Sequence, residues 1–363
     1  MTTAAQLAAS TTGTPGFKNR VINGSMVVDQ RGSAASPVTI PNGSSAFSVD
    51  QFRTYKDTAT GVLTAQQSST APTGFIKSLL LTASTGFSAG AGDYLTIVNS
   101  IEGTNVADLN CGTANAATVT LSFWVRSSIT GTYAASLTNS ANSRSYVATY
   151  TISSANTFEY KTITIPLDTS GTWLTDNGAG MRIRFDLGSG SNYNTTANTW
   201  ATGTLTRTSA CVNWTATTGA TFYVTGVQLE KGTTATAFDF RSYGTELALC
   251  QRYFWLCNGA TYQYSIVGCG EIGGAGMLNI TFPVPMRTTP STISASGSGP
   301  YFYYNTVGGA RQTGTFTSAS ISNYGAGTNA MRIITGATGG SGLFFWVDIG
   351  STATLAFSIS AEL

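Results

Sequence analysis

The chain has 363 residues, a formal net charge of +2, only 9 % charged residues and no histidine. The missing imidazole excludes Ser-His-Asp and Cys-His catalysis and most zinc sites. The near-neutral balance, with no Lys/Arg cluster, argues against a nucleic-acid groove. Disorder is excluded as well, because 42 % of residues are hydrophobic and 18 Phe, 16 Tyr and 6 Trp are enough for large cores.

Residues 1–18 are small and polar and read as an arm. Their start, MTTAAQLAASTTGTPG, lacks the basic and apolar regions of a secretory signal. Asn19–Arg31 reads as a first strand with Val21, Met26 and Val28 in the core and a turn or bulge at Asn23-Gly24. Residues 31–45 are a Ser/Pro/Gly-rich loop, and Phe47–Arg53 alternates as a second strand. Val62–Gln67, Phe75–Thr82 and Tyr94–Ile101 follow at the spacing of a sandwich. Thr118–Arg126 places Val119, Leu121, Phe123 and Val125 on one face and Trp124 on the other. Tyr146–Ile152 and Glu159–Pro166 continue the pattern. Met181–Leu187 sets Arg182 and Arg184 opposite Met181, Ile183 and Phe185. Residues 188–219 form a long loop carrying Tyr193, Trp200 and Trp214, a length that is usually functional or packed in an assembly. Thr221–Leu229 closes the set, with Gly226 as a bulge or close-packing point. The pattern predicts eight to ten antiparallel strands in a jelly-roll β-sandwich over 19–240.

Thr245–Phe254 holds good helix formers with apolar residues at Leu247, Cys250 and Phe254. Ser242 or Thr245 would cap it, and Glu246 suits its first turn. Residues 241–254 are thus a helical linker, and 255–363 return to short β segments with no fixed-period repeat. The fold class is all-β: a jelly roll, a short helix and a second β-sandwich as tip. No stretch of about 18 apolar residues predicts membrane insertion.

Several candidate sites emerge. Trp255, Tyr262, Tyr264, Tyr301, Tyr303 and Tyr304 offer flat faces for sugar rings beside Gly/Ser-rich loops. Trp173, Trp200 and Trp214 are a competing set in the first domain, or anchors for its loops. Acids are sparse: Asp168, Asp176 and Asp186 near one end of the sandwich, Glu102 and Asp108 in a loop. No pair suits glycoside hydrolysis, so no catalytic residues are assigned. No cofactor is called for. Asp, Asn and backbone oxygens leave room for a structural calcium whose ligands the sequence does not choose. Five cysteines without CxxC spacing read as small buried hydrophobes.

NRVINGSMVVDQR (19–31), FSVDQF (47–52), the run 101–128, the run 169–191, FYVTGVQLE and YGTELALCQRY together resemble a family of bacteriophage tail-fibre proteins. In that family a carbohydrate-binding-module-like jelly roll leads to a variable tip; the likeness covers about 19–254. It implies a receptor-binding protein of the virion tail, made in the host bacterial cytoplasm and not an enzyme. The arm would attach to a tail or baseplate protein. The tip would take host surface polysaccharide or lipopolysaccharide. The chain would be a homotrimer, with Leu247, Cys250 and Phe254 packing around the threefold axis. A capsid decoration protein and a tailspike-like polysaccharide depolymerase are the rival readings.

Overall fold

The structure, a computed structural model, describes residues 18–58, 60–256, 281–290 and 358–363, and the backbone pairing of the remaining strands. Among the described residues thirteen strands precede the helix. They are β1 (Val38–Thr39), β2 (Ser44–Val49), β3 (Phe52–Asp57), β4 (Val62–Ser68), β5 (Ser78–Thr85), β6 (Tyr94–Glu102), β7 (Thr118–Ser127), β8 (Gly131–Asn139), β9 (Arg144–Ile152), β10 (Glu159–Pro166), β11 (Ala179–Asp186), β12 (Trp200–Thr202) and β13 (Thr221–Lys231). They form two antiparallel sheets. One runs β1-β4-β5-β13-β7-β10, the other β12-β9-β8-β11-β6-β3-β2. The sheets stack as a jelly-roll β-sandwich, and their facing side chains make one core.

Alternation decides which side chains enter that core. On β7, Val119, Leu121, Phe123 and Val125 are fully buried; on β11, Met181, Ile183 and Phe185 are buried as well. Phe123 meets Phe185 edge-on across the gap between the sheets, 5.0 Å between centroids. Each such side chain contributes roughly 1.5–3 kcal/mol through burial. Trp124, on the outer face, packs against Tyr160 of the neighbouring strand at 5.3 Å.

Three expectations about strands need correction. Asn19–Arg31 is not a strand, although Val21, Met26 and Val28 are buried as expected. Asn23 and Met26 both take positive φ, 58° and 59°, which no strand tolerates. The Asn23 side chain replaces the ladder. Its amide donates to the carbonyls of Val28 (2.9 Å) and Asp50 (2.8 Å), and its oxygen accepts from the Val28 amide (3.0 Å). Phe47–Arg53 is two strands, β2 and β3, joined by a tight turn in which Gln51 has φ 69°. Buried Asp50 fixes that turn by accepting from the Gln30 amide (2.7 Å) and pairing with Arg31 (2.8 Å). Finally, β8 escaped detection. Its sequence, GTYAASLTN, sends only Tyr133, Ala135 and Leu137 into the core, and the Ala134-Ala135 pair blurs the alternation. It is held between β9 and β11 and buried over most of its length.

Segment 19–24 lies against β13 where that strand bulges. The register shifts between Thr225 and Gln228, and Gly226 takes φ 61°. The Val227 amide then donates to Gly24 O (2.9 Å), and Arg20 N donates to Leu229 O (3.0 Å). Asn19 completes the strap, its amide donating to Val227 O (3.2 Å) and its oxygen accepting from Leu229 N (3.2 Å). A Cβ on Gly24 would sit 2.1 Å from Val227 O, so the backbones meet closely here.

The helix α1 spans Tyr243–Gln251, starting earlier and ending sooner than expected. Ser242 caps it by accepting from the Thr245 amide at 3.4 Å, and Glu246 lies in the first turn. The chain divides into two compact units, the first ending at Glu246 and the second running Leu247–Glu362.

The second unit is again antiparallel. Its strands are β14 (Phe254–Asn258), β15 (Ile266–Cys269), β16 (Glu271–Ile272), β17 (Ala275–Thr281), β18 (Thr292–Ser296), β19 (Ser298–Tyr304), β20 (Arg311–Thr317), β21 (Ile321–Ala326), β22 (Ala330–Thr338), β23 (Phe344–Val347) and β24 (Ala356–Ser360). They pair as three sheets: β14-β24-β18, β15-β23-β19-β20 and β16-β17-β22-β21. The predicted arm, residues 1–18, lies outside the described residues up to residue 17.

The bulge gives a direct test. A Cβ on Gly226 would approach Phe75 Cζ to 2.8 Å and Trp124 Cδ1 to 3.1 Å, on a backbone that already disfavours L side chains. We expect Gly226→Ala to lower the urea midpoint by the equivalent of about 1–3 kcal/mol with an unchanged m-value. A loss under about 0.5 kcal/mol would show that the bulge relaxes freely.

Candidate functional site

The outer face of the seven-stranded sheet carries the most chemistry among the described residues. Strand register builds it in rows. On β6, Val98 is flanked by Arg53 of β3 on one side and Arg184 of β11 on the other. The next row sets Tyr55 beside Thr96, and the row beyond sets Asp57 beside Tyr94. In the other direction, Arg182 stands beside Ser100. The loop after β11 brings Tyr193 over Tyr94, and Asn142 reaches in from the turn between β8 and β9. All of these except Thr96 and Ser100 line a cleft of about 360 Å³.

Its aromatic members touch in a run. Tyr55 and Tyr94 lie 6.0 Å apart edge-on, and Tyr94 and Tyr193 lie 5.0 Å apart. The Arg53 guanidinium sits 4.5 Å over the Tyr55 ring. Tyr193 is pinned by its hydroxyl, which donates to Gly92 O at 3.2 Å. Burial pushes the Tyr94 phenol above its usual range, against the pull of nearby Arg184, so it stays a neutral donor.

Asn142 orients two of the three arginines. Its oxygen accepts from Arg184 at 2.6 Å and from Arg182 at 3.1 Å. Arg182 also donates to the Ser140 carbonyl at 2.5 Å, and Arg184 donates to Thr138 Oγ1. Arg184 is only 3 % exposed, and its Nε has no hydrogen-bond partner. Burial pulls its pKa down, and the neighbouring Arg53 pulls the same way. A guanidinium nevertheless remains charged in a protein. The cleft therefore offers stacking faces, hydroxyls and fixed cationic forks in one place.

The residues singled out from the sequence are distributed differently. Trp255 is buried and packs edge-on against Phe282 at 5.9 Å, so it is no platform for a ligand. Tyr301, Tyr303 and Tyr304 lie on β19, opposite Val347, Phe345 and Phe344 of β23. Tyr262 and Tyr264 lie outside the described residues. Cys250 and Phe254 are buried within their own chain, which corrects their assignment to an intersubunit contact; Leu247 is half-buried.

Trp214 is fully buried and donates from Nε1 to Thr221 O at 3.1 Å, which makes it a loop anchor. Trp173 and Trp200 meet edge-on at 5.5 Å and donate to Ser170 O and Pro166 O. Cys211 is buried, and burial pushes the half-buried Cys111 thiol up to about 12.

The acids are structural. Asp168 receives two bonds from Arg144 (2.5 and 3.1 Å) and two from Ser170. Burial works against its charge, but these donors hold its carboxyl below the usual range. Asp186 accepts from the Gly188 and Ser189 amides and from Thr206, with Arg207 at 3.7 Å; burial still pushes its pKa up. Asp176 accepts from the Gly178 amide, Asp108 pairs with Arg20, and Glu102 is buried at the end of β6. Among the described residues no group of three or more Cys, Asp or Glu side chains is placed to hold a metal ion.

No protein-family model matches the chain, and no curated protein matches it either. Among solved structures it is similar to the enzymatically active domain of tailspike protein 4 from bacteriophage CBA120, at 13 % identity and a TM-score of 0.31. That match covers 59 % of this chain and 21 % of the other, so the chain spans about a fifth of the tailspike's length. A C-terminal family 22 carbohydrate-binding module of Clostridium thermocellum Xyn10B matches at 12 % identity and a TM-score of 0.30, covering 52 % of this chain and 91 % of the module. A putative sugar-binding protein from Bacteroides thetaiotaomicron matches at 10 % identity and a TM-score of 0.34, covering 59 % and 100 %.

The Asp168–Arg144 pair has a pH signature. Because the folded pKa of Asp168 is depressed, its contribution is present above the ordinary value of 3.8 and fades as pH falls through the lower folded value. We expect Asp168→Asn to lose about 2 kcal/mol at pH 7. The deficit against the parent should shrink as the pH drops below 3.8. Urea titrations at several pH values measure it; a deficit independent of pH would mean that the charge is not what Arg144 holds.

Proposed function

We propose that this protein binds glycans at the cleft on the seven-stranded sheet and serves as a non-enzymatic receptor-binding protein of a bacteriophage tail. The observation that carries the binding half is the contiguous run Tyr55–Tyr94–Tyr193 beside Arg53 and Asn142 in a concave site. Pyranose rings present an apolar face to aromatics and a rim of hydroxyls to amides, guanidinium groups and carboxylates. Asp57, on the cleft wall, adds an acceptor for those hydroxyls. The phage half rests on the resemblance of residues 19–254 to tail-fibre proteins.

In this reading residues 1–18 attach to a tail or baseplate protein. Residues 255–363 add host contacts through Tyr301, Tyr303 and Tyr304. Absence of hydrolysis is part of the same proposal. Asp168 and Asp186, the best-placed acids of the sequence, are each enclosed by their own donors rather than set facing one another across a cleft.

Host surface polysaccharide should bind the full chain, and Tyr55→Ala and Tyr193→Ala should each weaken binding about tenfold, the equivalent of one stacking contact. Calorimetry measures this, and size-exclusion of the polysaccharide after incubation should show unchanged chain length. Binding that ignores both substitutions moves the site elsewhere, and shortened chains restore the depolymerase reading.

Multivalent attachment belongs to the proposal as well. The sparse charge of the chain leaves its surface poorly protected against self-association, and three weak sites on one particle would gain avidity. Since Cys250 and Phe254 are already buried, a trimer must use other surfaces. Native mass spectrometry at micromolar concentration should show three chains; a single chain removes the trimer.

A further inference from the structure

The arginines of the first unit fall into two groups. Arg20, Arg31, Arg144, Arg207 and Arg241 each lie within 4 Å of a carboxylate: Asp108, Asp50, Asp168, Asp186 and Glu246. Arg53, Arg126, Arg182 and Arg184 have no such partner; Arg126 lies on the other sheet over Phe158 and Tyr223, whereas the remaining three converge on one cleft. Arg53 makes only cation–π contacts, to Phe47 and Tyr55, and Arg182 and Arg184 donate only to neutral oxygens. In a chain so poor in charge, three guanidinium groups on the two strands that flank β6 are a local excess of positive charge. Asp57 on the wall offsets part of it.

Arg184 sharpens the point. It is 3 % exposed, lines the cleft, and keeps a buried Nε–H without an acceptor. Burying a charge costs free energy unless a counter-charge or full hydrogen bonding offsets it. The protein itself supplies neither completely.

Resting on the glycan-binding reading above, we infer that the cleft selects saccharides bearing an anionic group, a uronate- or sialate-type carboxylate, which the forks of Arg53, Arg182 and Arg184 receive while the sugar ring lies on Tyr55, Tyr94 and Tyr193. A guanidinium matches a carboxylate with two parallel bonds, and charge-assisted bonds of this kind are about twice as strong as neutral ones. A neutral sugar of the same shape leaves the three charges uncompensated. The aromatic run distinguishes a carboxylated sugar from a free inorganic anion, which gains nothing from stacking.

The test uses the full chain and matched probes: tetragalacturonate and sialyllactose, each beside its methyl ester, which keeps the sugar and removes the charge. At least one acid should bind about tenfold more tightly than its ester, the value of one charge-assisted bond. That preference should shrink as salt rises from about 50 to 500 mM, because screening weakens exposed charge pairs. Arg53→Gln, which breaks no hydrogen bond within the protein, should reduce the preference towards unity, and Arg182→Gln should do the same. Equal or tighter binding of the esters, or an acid preference that survives both substitutions, overturns the inference. Esters that bind the parent as tightly as the acids, but do not bind Tyr55→Ala, leave the glycan cleft standing and remove only the acid selectivity. No binding of any probe removes both, and a single-stranded oligonucleotide outcompeting the acids would reassign the cleft to nucleic acid.

Discussion

The strict two-residue period of the central strands is the constraint on which both the core and the cleft depend. In β11, Met181, Ile183 and Phe185 enter the space between the sheets, so Arg182, Arg184 and Asp186 must leave it on the other side. The same rule acts on β3, where Phe52 faces the core and Arg53, Tyr55 and Asp57 face the cleft. A slip of one residue would bury three charged groups between the sheets and expose the Phe123–Phe185 contact. Each apolar side chain that stabilises the sandwich therefore also sets the position of a polar one outside.

A second device keeps that arrangement closed at the edge of the chain. Segment 19–24 does not add a strand. It lies over the bulge in β13, where Gly226 breaks the register and Asn19 and Gly24 take up the amides and carbonyls that the bulge releases. Buried backbone groups need partners, and here an asparagine side chain and a glycine contact supply them where a ladder would have been interrupted. The helix continues the theme: Glu246 is buried, and one of its carboxylate oxygens accepts from the Asn23 amide.

Charge is scarce in this protein and is spent in two ways. Most buried carboxylates are enclosed by a guanidinium and by backbone amides, as Asp50, Asp168 and Asp186 are. They hold turns and loops through these bonds. The three arginines of the cleft are held differently, by Asn142, by Thr138 and by an aromatic face rather than by a counter-charge. Three of the guanidinium groups without a carboxylate partner meet at one concave surface.

The sequence by itself determined the all-β class, most strands of the first unit, the short helix and the inward faces of β7 and β11. Those features are local, because a period of two or of 3.6 is printed in neighbouring residues. It also separated Arg182 and Arg184 from the core. Three things lay beyond it. Asn23 and Met26 needed contacts with Val28, Asp50 and β13 to hold positive φ, so a stretch that looked like a strand became a strap. β8, whose Ala134-Ala135 pair blurs the alternation, is marked as a strand by its pairing with β9 and β11. The cleft joins Arg53, Tyr94, Asn142, Arg184 and Tyr193, which span some 140 residues of chain; only the pairing of β3 with β6 and β6 with β11 makes them neighbours. Aromatic content drew attention to Trp255 and Trp214, but burial settles their role: a ring packed in a core has no face to offer a ligand.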